Sequence, residues 1–216
     1  MNINTNYKKS YQGVLTIIWS IIIFYFARAG RTIYLSMVYN QTAFNMAEPA
    51  DIKLFTHGLP MVFYIAVIVG LTYFASGLDK RAKSGLTYIR MGYLLLIVDI
   101  FDFGIISTGA FITGLLIILF GFYILSSTTS LNKEGLAGVN MLFGTMLLAL
   151  LIQLIKTIIY IAPVYQYFIT KSANFGSYTP KIFNFLFLVV MVLELIGWVR
   201  IRTSLLQLQG KEKVIK

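Results

Sequence analysis

The sequence predicts an all-α, polytopic integral membrane protein with six transmembrane helices in a single domain, residues 1–216. Of its 216 residues, 58% are hydrophobic and only 12% are charged, whereas a soluble domain is nearer half apolar and a quarter charged. Apolar runs of about 20 residues recur along the whole chain, and each is long enough to cross a bilayer. The seventeen Phe and fourteen Tyr residues suit lipid-facing and interfacial positions.

The six predicted spans are apolar stretches that are separated by polar or charged residues. They cover residues 13–37, 58–77, 86–107, 110–127, 138–162 and 182–200. Basic residues precede the first run as in a secretory signal, but we interpret this run as the first span. The third and fourth spans together would form a helix of about 60 Å, twice the hydrocarbon core, so we expect a turn at 107–109.

The positions of the basic residues predict that both termini lie in the cytoplasm. Twelve Lys and Arg residues flank the spans on the side of the termini, and three lie in the opposite loops. This bias is the positive-inside rule, and the even number of spans agrees with it independently. The two longer loops, 38–57 and 163–181, are then predicted on the outer side.

A tandem repeat is predicted at an offset of 50 residues. Ser76 aligns with Ser126 and Gly85 with Gly135, on either side of the two cytoplasmic turns. The alignment makes spans 2–3 and spans 4–5 two hairpins of the same orientation, unlike the inverted repeats of many transporters.

Glycine and tryptophan residues near the span ends are given structural roles. Gly104, Gly109 and Gly114 fit either close helix approach or the turn between spans 3 and 4, and we favour the turn. Gly135 and Gly138 are assigned to the loop before span 5, because glycine is common in turns. Trp198, near the cytoplasmic end of span 6, is interpreted as an interfacial anchor.

Composition excludes several classes of function. The chain has no cysteine, which excludes thiol catalysis and cysteine-ligated metals, and a single histidine, His57, argues against a histidine-rich metal site. The net charge of +10 does not indicate nucleic-acid binding, because the basic residues lie at the ends of apolar segments. No catalytic, cofactor-binding or metal-binding residue is predicted.

Charged side chains inside the predicted spans are the strongest lead in the sequence. Apart from Arg90 and Arg200 at the cytoplasmic span ends, three cations and three anions lie there, together with one glutamine: Arg28, Arg31, Lys156, Asp99, Asp102, Glu194 and Gln153. A charge in mid-membrane costs about 3 kcal/mol on insertion scales, so such groups usually face the bundle interior and pair. We refer to these seven residues as the predicted charge network.

Helical spacing predicts the partners within the predicted charge network. Residues three apart share a helix face, so Asp99 and Asp102 form one face of span 3. We expect this face to meet the two arginines of span 1, with Lys156 of span 5 nearby. Glu194 lies deepest, about 18 Å from the outer end of span 6. It is the best candidate for a proton-linked group, and it would pair with Lys156 if span 6 were shifted outward.

These patterns favour a non-enzymatic, membrane-embedded subunit or scaffold of a larger assembly, in which the predicted charge network fixes the packing of spans 1, 3 and 5. The alternative is a small transporter or channel with an outward-facing polar site at Arg28, Arg31, Asp99 and Asp102. None of the four prolines interrupts the centre of a span, which weakens this alternative. An intramembrane enzyme is a third reading, but no motif flanks the paired aspartates.

The same interpretation predicts the partners and the location of the protein. The partners are membrane lipids, other membrane subunits or a second copy of the chain, and not nucleic acid. The usage of Asn, Ile, Lys and Tyr favours a bacterial inner (plasma) membrane.

Overall fold

The computed structural model describes residues 3–38, 58–101, 105–161 and 173–214, with side chains described over 7–30, 58–98, 100–101, 106–158 and 185–210. Over these ranges the chain is all-helical. The described helices are α1 (Ile3–Val38), α2 (Leu59–Phe74), α3 (Lys80–Asp99), α4 (Ile105–Leu125), α5 (Lys133–Ile161) and α6 (Ala173–Val214). A short 3-10 turn, Ala75–Gly77, ends α2.

Four of these helices are long and apolar enough to cross a membrane. The segments are Tyr7–Gly30, Leu59–Gly77, Ile106–Ser126 and Lys133–Ile158. The predicted all-α class is therefore confirmed, and four apolar helices support a membrane protein. The other two helices, α3 and α6, carry more charge. Helix α3 begins with KRAK, and α6 continues beyond its apolar part into a basic segment.

The predicted turn at 107–109 is wrong. The chain leaves α3 after Asp99, and the Ile100 and Phe101 amides donate to carbonyl oxygens three residues earlier. Helix α4 begins at Ile105, so residues 107–109 are helical. Serine and threonine are favoured in turns and also near helix N-termini, and here they occupy the first turn of α4. Residues 173–181, predicted as part of an outer loop, are helical as well.

The helices pack in chain order as a ring. Each helix contacts the next one along the chain, and α6 also contacts α1, which closes the ring. The closest pairs are α1–α2, α3–α4 and α5–α6. Short connections between successive helices make these neighbours antiparallel.

Glycines face each other where the helices of each closest pair cross. The facing glycines are Gly13 and Gly70, Gly85 and Gly121, and Gly138 and Gly197. A Cβ atom added at Gly121 would lie 2.6 Å from the carbonyl oxygen of Gly85, closer than real Cβ atoms approach. Small residues at helix crossings let backbones approach closely in membrane proteins. The same arrangement therefore fastens all three pairs.

The structure corrects the roles predicted for three glycines. Gly114 lies inside α4, where an added Cβ would meet Gly92 and Leu96 of α3. Gly135 and Gly138 lie inside α5 and face α6. All three serve helix contact rather than turns, because α5 begins at Lys133, ahead of its predicted span, and Gly114 lies well inside α4.

The centre of the ring is filled by aromatic side chains from alternate helices. Trp198 of α6 is fully buried, and its ring packs edge-on against Phe74 of α2 and Phe122 of α4, with centroids 6.1 and 6.3 Å away. The prediction of an interfacial anchor at Trp198 is wrong. Helix α6 continues for sixteen residues beyond it, so Trp198 lies inside the bundle and not at its end.

Candidate functional site

Asp79 connects the two turns that join α2 to α3 and α4 to α5. Its carboxylate accepts from the Ala82 amide at 2.7 Å and so caps α3. It also accepts from the hydroxyls of Thr128 and Ser130 at 2.6 and 2.9 Å. The amide and hydroxyl of Thr129 add weaker bonds at 3.2 and 3.3 Å. We name Asp79, Thr128, Thr129 and Ser130 the turn cluster.

The charge of Asp79 is stabilised by these donors. Partial burial acts to raise the pKa of Asp79, but the hydrogen bonds from Thr128, Ala82, Ser130 and Thr129 outweigh it and hold the pKa well below its usual value. The carboxylate is therefore ionised at neutral pH and serves as a fixed acceptor for both turns.

We expect Asp79→Ala to lower the free energy of unfolding by about 2 kcal/mol, because it removes a helix cap and leaves several donors of the second turn without their acceptor. Equilibrium unfolding of the full chain in mixed detergent micelles measures the change. Asp79→Asn, which keeps the shape but not the charge, is the matched variant and should cost less. Equal stability of Asp79→Ala and the wild type would contradict the role of the turn cluster.

Acidification should weaken the same cluster. Because the pKa of Asp79 is lower in the folded protein than in the unfolded chain, the unfolded chain binds its proton first as the pH falls. The contribution of Asp79 to stability is complete above pH ~4, the usual value for aspartate, and declines below it. Unfolding followed over this range should show a smaller decline in Asp79→Asn than in the wild type.

Polar residues make further ties between elements at the same end of the bundle. Ser10 of α1 donates to the Phe74 carbonyl at 2.8 Å and accepts from the Gly77 amide at 2.9 Å. The other described ties join Tyr11 to Arg202, Glu134 to Arg200 and Asn132 to Gln207. Each of these contacts joins two different elements. At this end of the ring, α1, α5 and α6 contribute side chains, α2 and α3 contribute backbone groups, and the turn after α4 contributes hydroxyl groups.

Glu194 is a buried carboxyl group in the middle of α6. Its side chain is only 5% exposed, and its hydrogen bond comes from the Tyr93 hydroxyl of α3, at 3.4 Å. Trp198 lies one helical turn away with its indole near the carboxyl group, but the buried indole nitrogen has no hydrogen-bond partner in the part of the chain that is described. Glu194 thus lies in an apolar and aromatic environment.

Two tyrosines from other helices lie near this carboxyl group, and a third packs against one of them. Tyr93 of α3 is buried, and its ring lies 5.9 Å from the ring of Tyr64 of α2. Tyr25 of α1 is half-buried and close enough to Glu194, Tyr64 and Arg28 for electrostatic interaction. We name Glu194, Tyr25, Tyr64 and Tyr93 the carboxyl–tyrosine cluster; it joins α1, α2, α3 and α6.

The predicted charge network is described only in part. Arg28 is exposed, and Gln153 and Lys156 are half-buried. The side chains of Arg31, Asp99 and Asp102 lie outside the described side chains, so their pairing with Arg28 stays a prediction. Glu194 accepts from Tyr93, and among the described side chains no ion pair joins it to Lys156. The pairing of Glu194 with Lys156 is not among the described contacts and stays a prediction.

Sequence reasoning did not find the turn cluster or the tyrosine partners of Glu194. A signal for the first was present, since Asp79 directly precedes α3, where aspartate is a favoured cap, and the segment SSTTS at 126–130 is rich in hydroxyls. Tyr93 and Tyr64 carry no such signal, because tyrosine is frequent throughout this chain.

Two further observations on the described ranges concern ligand binding. No group of three or more His, Asp or Glu side chains there could hold a metal ion. A surface depression lies at the end of the bundle where α5 begins, lined by Asn132, Lys133, Glu134, Ala137 and Gln207. Its residues include the interhelical ties already described.

Comparison of the chain with protein-family models, curated proteins and solved structures found no match. Its function is therefore inferred from its own residues.

Proposed function

We propose that this chain is a non-enzymatic integral membrane protein with six transmembrane helices, which serves as a membrane-embedded subunit or scaffold of a larger assembly in a bacterial inner membrane. Four helices that meet the requirements of a membrane span support the proposal. Helices α3 and α6 complete the count, because they belong to the same ring and form two of its closest pairs with α4 and α5.

Contacts at one end of the bundle support a cytoplasmic position for both termini. The turns that precede α3 and α5 meet in the turn cluster, and Tyr11 near the N-terminus contacts Arg202 near the C-terminus. Ser10 contacts the first of these turns. The elements that the positive-inside rule assigns to the cytoplasm are thus neighbours in space.

A tandem repeat is part of the proposal. Ser76 donates to the Tyr73 carbonyl at 2.8 Å, and Ser126 donates to the Tyr123 carbonyl at 2.7 Å. The four residues are two pairs at the offset of 50, and each serine makes the same hydrogen bond to the carbonyl three residues earlier. This agreement favours duplication of the segment that contains α2 and α3.

The observation that carries the scaffold proposal is the use of polar groups at the cytoplasmic end to fasten helices to one another. Ser10, Asp79 and Arg202 each contact an element of the bundle other than their own. Polar contacts of this kind hold membrane helices together. On the outside, large apolar residues such as Phe26 and Tyr123 are exposed, as expected for contact with lipid or membrane partners.

The scaffold proposal is tested with the predicted pair of Arg28 and Asp99. We expect Arg28→Gln combined with Asp99→Asn to reduce the yield of the assembled complex several-fold in native gels of solubilised membranes, without any change in solute flux. The matched control is Lys83→Gln, which removes an exposed cation from α3. Normal assembly of the double variant would argue against a structural role for the predicted charge network.

A small transporter or channel remains the second candidate. The observation that favours it is the position of Tyr25, which lies within electrostatic reach of both the buried Glu194 and the exposed Arg28. Together these residues mark a polar route from the bundle interior toward the predicted outer side. This candidate predicts that proteoliposomes containing the chain show solute or ion flux that Arg28→Gln abolishes.

A further inference from the structure

Glu194 differs from the other acidic residues whose side chains are described. Asp79 receives hydrogen bonds from several donors, and Glu134 pairs with Arg200 at 3.6 Å. Glu194 is the most buried of the three, yet it receives one long hydrogen bond and has no ion pair among the described residues. A role in holding helices together does not explain a carboxyl group in this position. A leucine or glutamine would fill the same space at a lower cost in free energy.

The surroundings of Glu194 favour the neutral acid. Moving an ionised carboxylate out of water without a paired cation costs far more than moving the uncharged acid. The groups that face Glu194 are Tyr93 of α3, Tyr25 of α1 and Trp198 of its own helix, and none of them carries a positive charge. Arg28 acts on Tyr25, and the described side chains that act on Glu194 are Tyr93 and Trp198.

A metal cation is a poorer fit than a proton. Sodium and calcium sites need several oxygen ligands around the ion, whereas the polar atom at hydrogen-bond distance from Glu194 is the Tyr93 hydroxyl. A proton needs only the carboxyl group itself. Since hydroxyl groups both donate and accept, the tyrosines can reorient as the proton is bound or released.

We propose that Glu194 is a proton-binding site at the junction of α1, α2, α3 and α6. In the packed bundle the neutral acid accepts a hydrogen bond from the Tyr93 hydroxyl. When the junction opens to water, the acid gives its proton to a water molecule, and the carboxylate and a hydronium ion are formed. Tyr93 continues to donate to the carboxylate. The site goes beyond the scaffold role, and it operates whether or not the chain belongs to an assembly.

Infrared difference spectroscopy of the full chain in lipid nanodiscs tests the site directly. We expect a carbonyl stretching band of a protonated carboxylic acid that is present at neutral pH and disappears when the pH is raised. Glu194→Gln should abolish this band, and it should leave the fold intact because glutamine has the shape of the neutral acid. Tyr93→Phe should shift the frequency of the band, since it removes the hydrogen-bond donor and keeps the ring.

Matched controls separate the proposal from a general effect of charge. Glu134→Gln alters a half-buried glutamate paired with Arg200 and should leave the band unchanged. The wild-type melting temperature should fall as the pH is raised through the range in which the band disappears, while that of Glu194→Gln stays constant. A Glu194 that is ionised throughout this range, or a band that persists in Glu194→Gln, would overturn the proposal. Neither result would bear on assembly, which the Arg28 and Asp99 variants test.

Discussion

Replacing Gly121 with leucine should force α3 and α4 apart and lower the free energy of unfolding by about 3 kcal/mol. A Cβ at this position would lie 2.6 Å from the Gly85 carbonyl oxygen and 2.9 Å from the Ile89 amide nitrogen. Both atoms belong to the backbone of α3, so rotation of a side chain cannot relieve the contact. Overpacking of a tight interior typically costs 1–3 kcal/mol, and a leucine adds three more carbons than the Cβ alone.

Gly144→Leu is the matched control for this substitution. Gly144 also lies within a long apolar helix, but a Cβ there would meet no atom within 4 Å, and the residue is exposed. The larger side chain should point to lipid with little effect on stability. Unfolding of both variants in mixed detergent micelles makes the comparison. A similar loss in both would show that loss of glycine, and not the crossing of α3 and α4, causes the effect.

Trp198→Ala should have the largest effect of any truncation in the core, lowering the free energy of unfolding by about 3–5 kcal/mol. The indole is fully buried and packs against Phe74 and Phe122, so its removal leaves a cavity at the centre of the ring. The same unfolding measurement gives the change.

The chain contains a matched control in its other tryptophan. Trp19 is 58% exposed, and Trp19→Ala should change stability by much less. Fluorescence gives an independent readout: lipids with brominated acyl chains should quench Trp19 in the Trp198→Ala variant and should leave Trp198 almost unquenched in Trp19→Ala. Strong quenching of Trp198 would place it at the lipid surface, as the sequence alone had indicated.

Apolar length and charge were sufficient to predict the helical class and the positions of most helices. The segment before α2 illustrates this, since Pro60 at the start of a long apolar run marks a helix beginning, and α2 starts at Leu59. The ends of helices were predicted less well. Apolar runs report where a helix meets lipid, whereas α6 continues in polar sequence to Val214, because the bundle and not the bilayer determines its length.

The candidate site was predicted only where a charged residue stands in an otherwise apolar stretch of the sequence. Glu194 stands out in an apolar run and was recognised as a proton-linked candidate. Its neighbours could not be predicted, because the pairing of Tyr93 with Glu194 joins residues 101 positions apart and depends on how the ring closes. The glycine contacts were missed for the same reason, since a glycine in a sequence does not reveal whether it faces a neighbour, as Gly121 does, or open space, as Gly144 does.

The position of each end of the bundle relative to the membrane is most directly measured with single cysteines, which are unambiguous because the chain has none. The variants are Ser127→Cys between α4 and α5, Thr203→Cys in α6, and Asn45→Cys in the predicted outer loop. In intact cells, a membrane-impermeant maleimide should label only Asn45→Cys, and the other two should react only after the membrane is opened. Labelling of Ser127→Cys from outside, or of Ser127→Cys and Thr203→Cys from opposite sides, would contradict six spans with both termini in the cytoplasm.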